Sequence, residues 1–521
     1  MSFIILAGPI CFIFFIIGPL KVIEHTPKVQ THFQFVTSDS KNLFYASNAI
    51  DPESYALYRY NFLTQKKELV FSEKGLWSIT DFKDNGDMIL TKTTGSLWSE
   101  HYFWNLSEKK LIPIIGQNEH EEYSVAFSKT ENEYIVLTPK LGDFRRLYLL
   151  KKGNLLPITS ETKMDVTDFF LDFKKERLYY TVNDGGYFRG NILSANNFKL
   201  IPFQKIKNAD ETTFGRATND GRYLTVSVMT AKAPRTSYVF DWKTKKLVQW
   251  AIPSAPEIDL NHYVVAKLEY YPARDGTMIP MFVRRSPECE KKSCPVIVKF
   301  HGGPESQSTP GFSPQAQLFV DAGFIYVEPN VRGSDGYGKA WINSDNGAKR
   351  ESVITDIEDC ARFIRSTWKK EGKEPKIGIT GGSYGGYSTL IGMTMFAGAY
   401  DAGASNVGMS NLVSFLQNTA PYRRTLRMTE YGDLNKDLES LKKLSPINYI
   451  DQIRGPLLII QGVNDPRVPA GEAVQIYEVM KKKGLDSNLI LFPDEGHGAS
   501  KRSNQVLQIG HILQFFNKHL K

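Results

Sequence analysis

The sequence predicts an N-terminal all-β propeller of about five blade-like repeats followed by an α/β domain. Three observations predict it. A strand–turn–strand pattern recurs roughly every 45 residues from His32 onward. After Pro253-Ser254-Ala255-Pro256 the pattern changes to apolar strands alternating with helices. A Gly-x-Ser-x-Gly turn, Gly381 to Gly385, lies between a strand and a helix-compatible stretch.

The composition sets the frame for these elements. The chain has 521 residues, 41% hydrophobic and 23% charged, which is globular and too long for one ordinary core. Lys+Arg 64 against Asp+Glu 56 leaves +8, thinly spread. The densest basic run, Lys481 to Lys483, closes a helical pattern where cations suit the macrodipole. No basic stripe marks a nucleic-acid surface, so nucleic acid is not an expected partner. The 4 cysteines exclude a disulfide-rich scaffold.

From Phe3 to Leu20 there is no charged residue. As a helix this stretch would reach about 27 Å, against the roughly 30 Å hydrocarbon core of a bilayer. No Lys or Arg precedes it and no small-x-small cleavage site follows, while Gly8-Pro9 and Gly18-Pro19 interrupt it. Lys21 and Lys28 lie on the wrong side for simple export, which leaves orientation open. Residues 1–24 are therefore expected to be an uncleaved membrane anchor or atypical signal, giving a membrane-anchored or exported protein, with a cytoplasmic one as the alternative.

The repeats begin near His32, Trp77, Glu121, Val166 and Thr212. Each runs from an apolar strand through a polar turn, such as Lys83-Asp84-Asn85-Gly86 or Thr218-Asn219-Asp220-Gly221, into a β-branched or aromatic strand. Leu178-Tyr179-Tyr180-Thr181 and Tyr134-Ile135-Val136-Leu137 are two such strands. Four short strands in about 45 residues is the signature of a propeller blade, a β-sandwich with accidental spacing being the alternative. The propeller is assigned to residues 25–255 and the α/β domain to residues 256–521.

The second half opens with a hairpin around Arg274-Asp275-Gly276-Thr277, then buried strands at Val296–Phe300 and Phe324–Val327. Ile354, Ile357, Ala361, Ile364 and Trp368 mark one face of an amphipathic helix. Three later strands, Lys376–Thr380, Pro456–Gln461 and Asn488–Pro493, each lead into a residue that matters for chemistry.

The first leads into Gly381-Gly382-Ser383-Tyr384-Gly385-Gly386 and a helix expected over Tyr387–Phe396, the context of a nucleophile elbow. The glycines are needed because the turn strains Ser383 and bulky neighbours would clash around it. A serine nucleophile needs a base, and the base an orienting carboxylate; α/β-hydrolases supply them later in the chain, Asp before His, each from a loop after a strand. Gly462-Val463-Asn464-Asp465 offers Asp465, and Asp494-Glu495-Gly496-His497-Gly498 offers His497, with Asp494 the next candidate acid. Taken singly, Asp465 reads as a turn residue and His497 as an exposed one. Their conjunction with the elbow carries the assignment. His301-Gly302-Gly303-Pro304 follows a strand and offers the Gly303 amide to an oxyanion, the Tyr384 amide being the second donor. His301 as a metal ligand is set aside, since no His-Glu-x-x-His or clustered Cys/His spacing accompanies it. No metal or cofactor is expected.

Cys289 and Cys294 bracket a polar loop before the strand that leads to the oxyanion segment. In an oxidising compartment they are expected to pair; two free thiols are the alternative.

With these motifs the sequence resembles the prolyl oligopeptidase family of serine peptidases, over most of the chain. The likeness is most specific in Gly381 to Tyr387, Asn330-Val331-Arg332-Gly333-Ser334-Asp335-Gly336-Tyr337-Gly338, Gly462 to Pro469 and Glu495 to Gly498. His301-Gly302-Gly303-Pro304 looks most like the acylaminoacyl-peptidase and dipeptidyl-peptidase branches, since prolyl oligopeptidases proper carry a Tyr at the position of His301. The resemblance implies a propeller over an α/β-hydrolase domain, short peptides as substrates, and hydrolysis through an acyl-enzyme. It implies that Arg467 binds a substrate carbonyl, a task that suits a planar five-donor fork. It also makes Glu121-Glu122 the nearest candidates for a pair that holds a substrate's free amine, the alternative being a solvated turn. Family propellers usually have seven or eight blades, against the five repeats countable here. A carboxylesterase of the same fold, and an inactive hydrolase acting as a binding protein, are the rival functions. Oligomeric state is not legible in the sequence.

Overall fold

A computed structural model of the chain describes residues 5–8, 11–14, 21–24, 26–252 and 257–521. Within the apolar N-terminal stretch, Ile5–Gly8 pairs antiparallel with Cys11–Phe14, which in turn pairs with Lys21–Val22. These described segments are extended rather than helical, as suits their isoleucines and phenylalanines. The rest of the proposed anchor, and the Pro253–Pro256 boundary, lie outside the described residues. Among the described residues no helix is long and apolar enough to cross a membrane.

The five repeats become five antiparallel strand groups. Their first strands are Thr31–Val36, Leu76–Phe82, Ser124–Phe127, Asp165–Leu171 and Glu211–Ala217. The first three groups are 4-stranded sheets in sequence order. The fourth departs from the expected four strands. It has Asp165–Leu171, Arg177–Asp184 and Tyr187–Ser194, after which Tyr187–Ser194 pairs parallel with Glu211–Ala217 and fuses the last two groups into one 7-stranded sheet. Pro202, which has no N–H to give a ladder, sits where the missing strand would run. Tyr179, Phe214, Val226 and Phe240 form the core of this sheet.

The chain divides into two compact units. One comprises residues up to Gly142, Arg146–Ser160 and Ala420–Thr429; the other comprises Asp143–Arg145, Glu161–Thr419 and Glu430–Lys521. Compactness therefore does not follow the change of sequence pattern near residue 255. The 7-stranded sheet belongs with the α/β elements, to which Asn183 is joined by a 2.8 Å hydrogen bond from its Nδ2 to Gln307 Oε1.

The α/β elements form an 8-stranded sheet. Its strands are β1 (Lys267–Pro272), β2 (Met278–Arg284), β3 (Val296–Phe300), β4 (Ile325–Pro329), β5 (Ile377–Gly382), β6 (Ala402–Asn406), β7 (Leu457–Gly462) and β8 (Ser487–Phe492). Their spatial order is β1-β2-β4-β3-β5-β6-β7-β8. β1, β2 and β4 run antiparallel, joined by the expected hairpin, and β4 through β8 are parallel. Strands covered on both faces read as near-continuous apolar runs, which is why β3, β4 and β7 lack alternation. Helix α1 (Pro314–Asp321) and the C-terminal helix α5 (Arg502–Leu520) cover one part of the sheet, with Phe319, Phe324, Tyr326 and Phe516 at its centre. Helix α2 (Asp356–Thr367) buries Ile357, Ala361 and Ile364 of the expected stripe. Helix α3 (Tyr384–Met393) starts three residues earlier than expected, directly after Ser383, and α4 (Gly471–Lys482) follows β7. Cys289 and Cys294 are joined in a disulfide with their Cα atoms 5.5 Å apart.

Candidate active site

Strand β5 ends in a turn that places Ser383 at φ 58°, ψ −116°, with α3 beginning at the next residue. A non-glycine residue there costs on the order of 1–3 kcal/mol and persists only if its surroundings over-determine it. They do. The Ser383 N–H donates to Asn406 O at 3.0 Å, and the Tyr387 N–H donates to Ser383 O at 2.9 Å. A Cβ on Gly381 or Gly385 would stand 2.4 or 2.0 Å from Phe300 O, and one on Gly386 would stand 2.4 Å from Asn406 O. These three glycines let the elbow wedge between β3 and β6. Gly382 is different, since its nearest non-neighbour would be 3.5 Å away.

The segment after β3 runs beside this turn. A Cβ on Gly302 would lie 3.4 Å from Ser383 Cβ, so the Ser383 turn and the His301–Pro304 segment are in near contact. Gly303 has φ 126°, a conformation that glycine adopts without strain. Tyr431 Oη donates to Gly303 O at 3.5 Å. Both ring nitrogens of His301 are engaged: Nδ1 is 2.8 Å from Gly302 O and Nε2 is 2.8 Å from Ser334 Oγ. Burial pushes its imidazole pKa down. His301, Gly302, Gly382, Gln307 and Ser308 line a cavity of about 420 Å³ against the elbow.

Asp465 and His497 come from the loops after β7 and β8. His497 Nδ1 is 2.7 Å from Asp465 Oδ2. Asp465 Oδ1 accepts from the amides of Arg467 at 2.8 Å and Val468 at 3.1 Å, and Oδ2 also accepts from Gln461 Nε2 at 3.4 Å. The two loops are fastened together, since Asn464 N–H donates to Glu495 O at 2.9 Å and a Cβ on Gly462 would meet Gly496 O at 2.1 Å. Glu495, 2% exposed, organises the histidine loop. It accepts from Ser500 N–H and Oγ, Lys501 N–H and Asn504 Nδ2 at 2.9, 2.7, 2.9 and 2.7 Å. Burial disfavours its charge, but these donors outweigh that and hold its pKa down to about 2. Asp494, the alternative acid, is exposed and bonded to Lys501 and Asn504.

Arg467 has an exposed side chain, while its carbonyl accepts from Thr419 Oγ1 at 2.9 Å. The structure thus gathers Ser383, Tyr384, Gly303, Asp465, His497 and Arg467 within one compact unit. Glu121 and Glu122 belong to the other unit, half-buried before Ser124–Phe127, where the Glu122 N–H donates to Glu121 Oε1 at 3.2 Å. Sequence reasoning missed Asn406, Gln461, Tyr431 and the anchoring role of Glu495. Of these only Glu495 carried a signal, standing two residues before His497.

Comparison with known proteins follows the same outline. Residues 310–521 match the prolyl oligopeptidase family. Among curated proteins, the chain is 36% identical over 231 residues to dipeptidyl peptidase family member 6 of Caenorhabditis elegans, covering 43% of this chain and 31% of that protein. It is also 36% identical over 217 residues to dipeptidyl aminopeptidase BIII of Pseudoxanthomonas mexicana, covering 40% and 31%. The match thus spans about a third of the length of these relatives. Among solved structures, a puromycin-hydrolyzing peptidase of Mycobacterium tuberculosis superposes with a TM-score of 0.83 at 16% identity, covering 100% of this chain and 86% of that one. That likeness establishes the fold, a propeller followed by an α/β-hydrolase domain.

Proposed function

We propose, on the premise that residues 310–521 match the prolyl oligopeptidase family, that this chain is a serine-type peptidase acting on short peptides through an acyl-enzyme. One observation carries the reading. The 2.7 Å contact between His497 and Asp465 is formed by loops leaving the same sheet edge as the strained Ser383 turn.

The chemistry follows from the geometry. The amides of Arg467 and Val468 and the side chain of Gln461 hold Asp465 in place; in the mechanism proposed, His497 Nδ1–H donates to it and Nε2 keeps a lone pair to act as general base. Ser383 Oγ attacks the substrate carbonyl as its proton passes to His497. His497 then returns the proton to the leaving amine, and water repeats the sequence to release the acid. The developing oxyanion is assigned to the amides of Gly303 and Tyr384. Tyr384 is the first residue of α3, and the first-turn amides of a helix have no intrahelical acceptor. Arg467, exposed beside the acid, is assigned to a substrate carbonyl.

An active-site-directed fluorophosphonate tests the reading. It should label the wild type and not Ser383→Ala, whose kcat should fall by the order of 10⁶. Faster turnover of aminoacyl anilides than of simple alkanoyl esters supports a peptidase, and the reverse an esterase. No labelling of the folded wild type would leave an inactive, hydrolase-like binding protein.

A further inference from the structure

Beneath the oxyanion segment lies a cation that the triad does not use. Arg350 is fully buried, with a relative exposure of 0%. Its Nη2 donates to Asp345 Oδ2 at 3.0 Å, to Glu430 O at 3.4 Å and to Glu430 Oε1, and its Nε donates to Asp345 Oδ2 at 3.3 Å. The guanidinium also stands over two aromatic rings, 5.4 Å from the centroid of Tyr384 and 4.6 Å from that of Tyr431.

Those rings belong to the two sides of the oxyanion site. Tyr384 supplies one donor amide, and its hydroxyl donates to Asp345 Oδ2 at 3.3 Å. Tyr431, the residue after Glu430, donates from its hydroxyl to the carbonyl of Gly303, the residue that supplies the other amide. Two short routes therefore leave one cation: Arg350 through Asp345 to Tyr384, and Arg350 through Glu430-Tyr431 to Gly303. We propose that Arg350 is a positioning residue that holds the Gly303 and Tyr384 amides at a fixed separation, an inference that rests on the serine-hydrolase reading above.

Energetics favour a role beyond stability. A buried ion cluster is replaceable by apolar groups at little cost, or even with a gain, so its presence is weak evidence of a stabilising function. Around a reacting centre a rigid, already paired charge is useful, because oxyanion donors work only when aimed before charge develops. Burial pushes the carboxyls of Asp345 and Glu430 above their usual range, with Glu305 adding to both, and Arg350 opposes this.

The test uses the full chain, with Arg350→Met, Tyr431→Phe, Tyr384→Phe and the Arg350→Met/Tyr431→Phe pair, on an aminoacyl anilide and against a peptidyl aldehyde that forms a tetrahedral adduct with the nucleophile. Loss of one oxyanion donor costs about 10²–10³ in kcat, so partial misplacement in Arg350→Met should lower kcat by about 10² with KM within about twofold. Aldehyde affinity should fall by the same factor. Tyr431→Phe should lower kcat about tenfold, and the double variant should be no worse than Arg350→Met, since both act on one path. Unchanged kcat in a folded Arg350→Met, a loss confined to KM, or full additivity in the double variant overturns the proposal. If Arg350→Met does not fold, the two Tyr→Phe variants, which retain the cation, decide it by the same kcat and aldehyde readouts. Fluorophosphonate labelling of the wild type separates the two levels: labelling with unaffected variants sinks the Arg350 role alone, whereas no labelling sinks the reaction and this inference with it.

Discussion

His497 Nδ1 stands 2.7 Å from Asp465 Oδ2, and the same carboxylate accepts from the backbone amides of Arg467 and Val468. A carboxylate so pinned cannot rotate away, and in the mechanism proposed above it selects the imidazole tautomer that leaves Nε2 able to take a proton.

Replacing this acid tests whether it sets the tautomer. Asp465→Asn should keep the fold and lower kcat by about 10⁴, because an amide in its place can present a donor to Nδ1 and reverse the tautomer. Near wild-type turnover would reassign the role, although Asp494 is engaged by Lys501 and Asn504.

The elbow glycines separate into needed and spare ones. Gly385→Ala would push a methyl to within 2.0 Å of Phe300 O, a backbone atom that cannot give way, whereas Gly382→Ala would find its nearest non-neighbour at 3.5 Å. Thermal unfolding should show Gly385→Ala destabilised by about 3 kcal/mol or more, with Gly382→Ala much closer to wild type. Equal Tm values for the two would contradict the wedge between β3 and β6.

Glu495 gives a pH dependence of defined sign. Its folded pKa is held down to about 2, below the ordinary value of a glutamate, so its contribution is full above that ordinary value and fades as pH falls toward 2. Wild type should therefore be more stable than Glu495→Gln near pH 7, with the gap closing between about pH 4.5 and 2. Paired urea titrations at several pH values measure this, and a gap independent of pH would show that the charge is not what the loop uses.

Arg467 is exposed, which leaves its guanidinium available to substrate. Arg467→Lys keeps the charge but loses the planar fork, so kcat/KM for peptides should fall more than for small esters. Equal losses on both would assign it to holding the acid loop through its backbone neighbours.

Local pattern carried much of the architecture. Repeat starts near His32, Trp77, Val166 and Thr212 fall within the first strands of their groups, and Glu121 lies just before Ser124–Phe127. Ser383, Asp465 and His497 each follow a strand from the parallel part of one 8-stranded sheet, as their flanking apolar runs indicated. Such features are legible because a strand's alternation, a turn's glycine and a helix's period are written in consecutive residues.

Tertiary structure decided what lies far apart in the chain. The fourth strand group lost its last strand to a parallel pairing, and the last two groups joined the α/β unit rather than the other repeats. Tyr431 reaches Gly303 across 128 positions, and Arg350 reaches Glu430 across 80. No periodicity encodes such pairs. They follow from sheet order and from which faces pack together, quantities set by the summed burial of many side chains and not by any one segment. The sequence by itself determined the fold class and the candidate nucleophile, acid and base; only packing decided that a buried arginine stands beneath the residues assigned to the oxyanion.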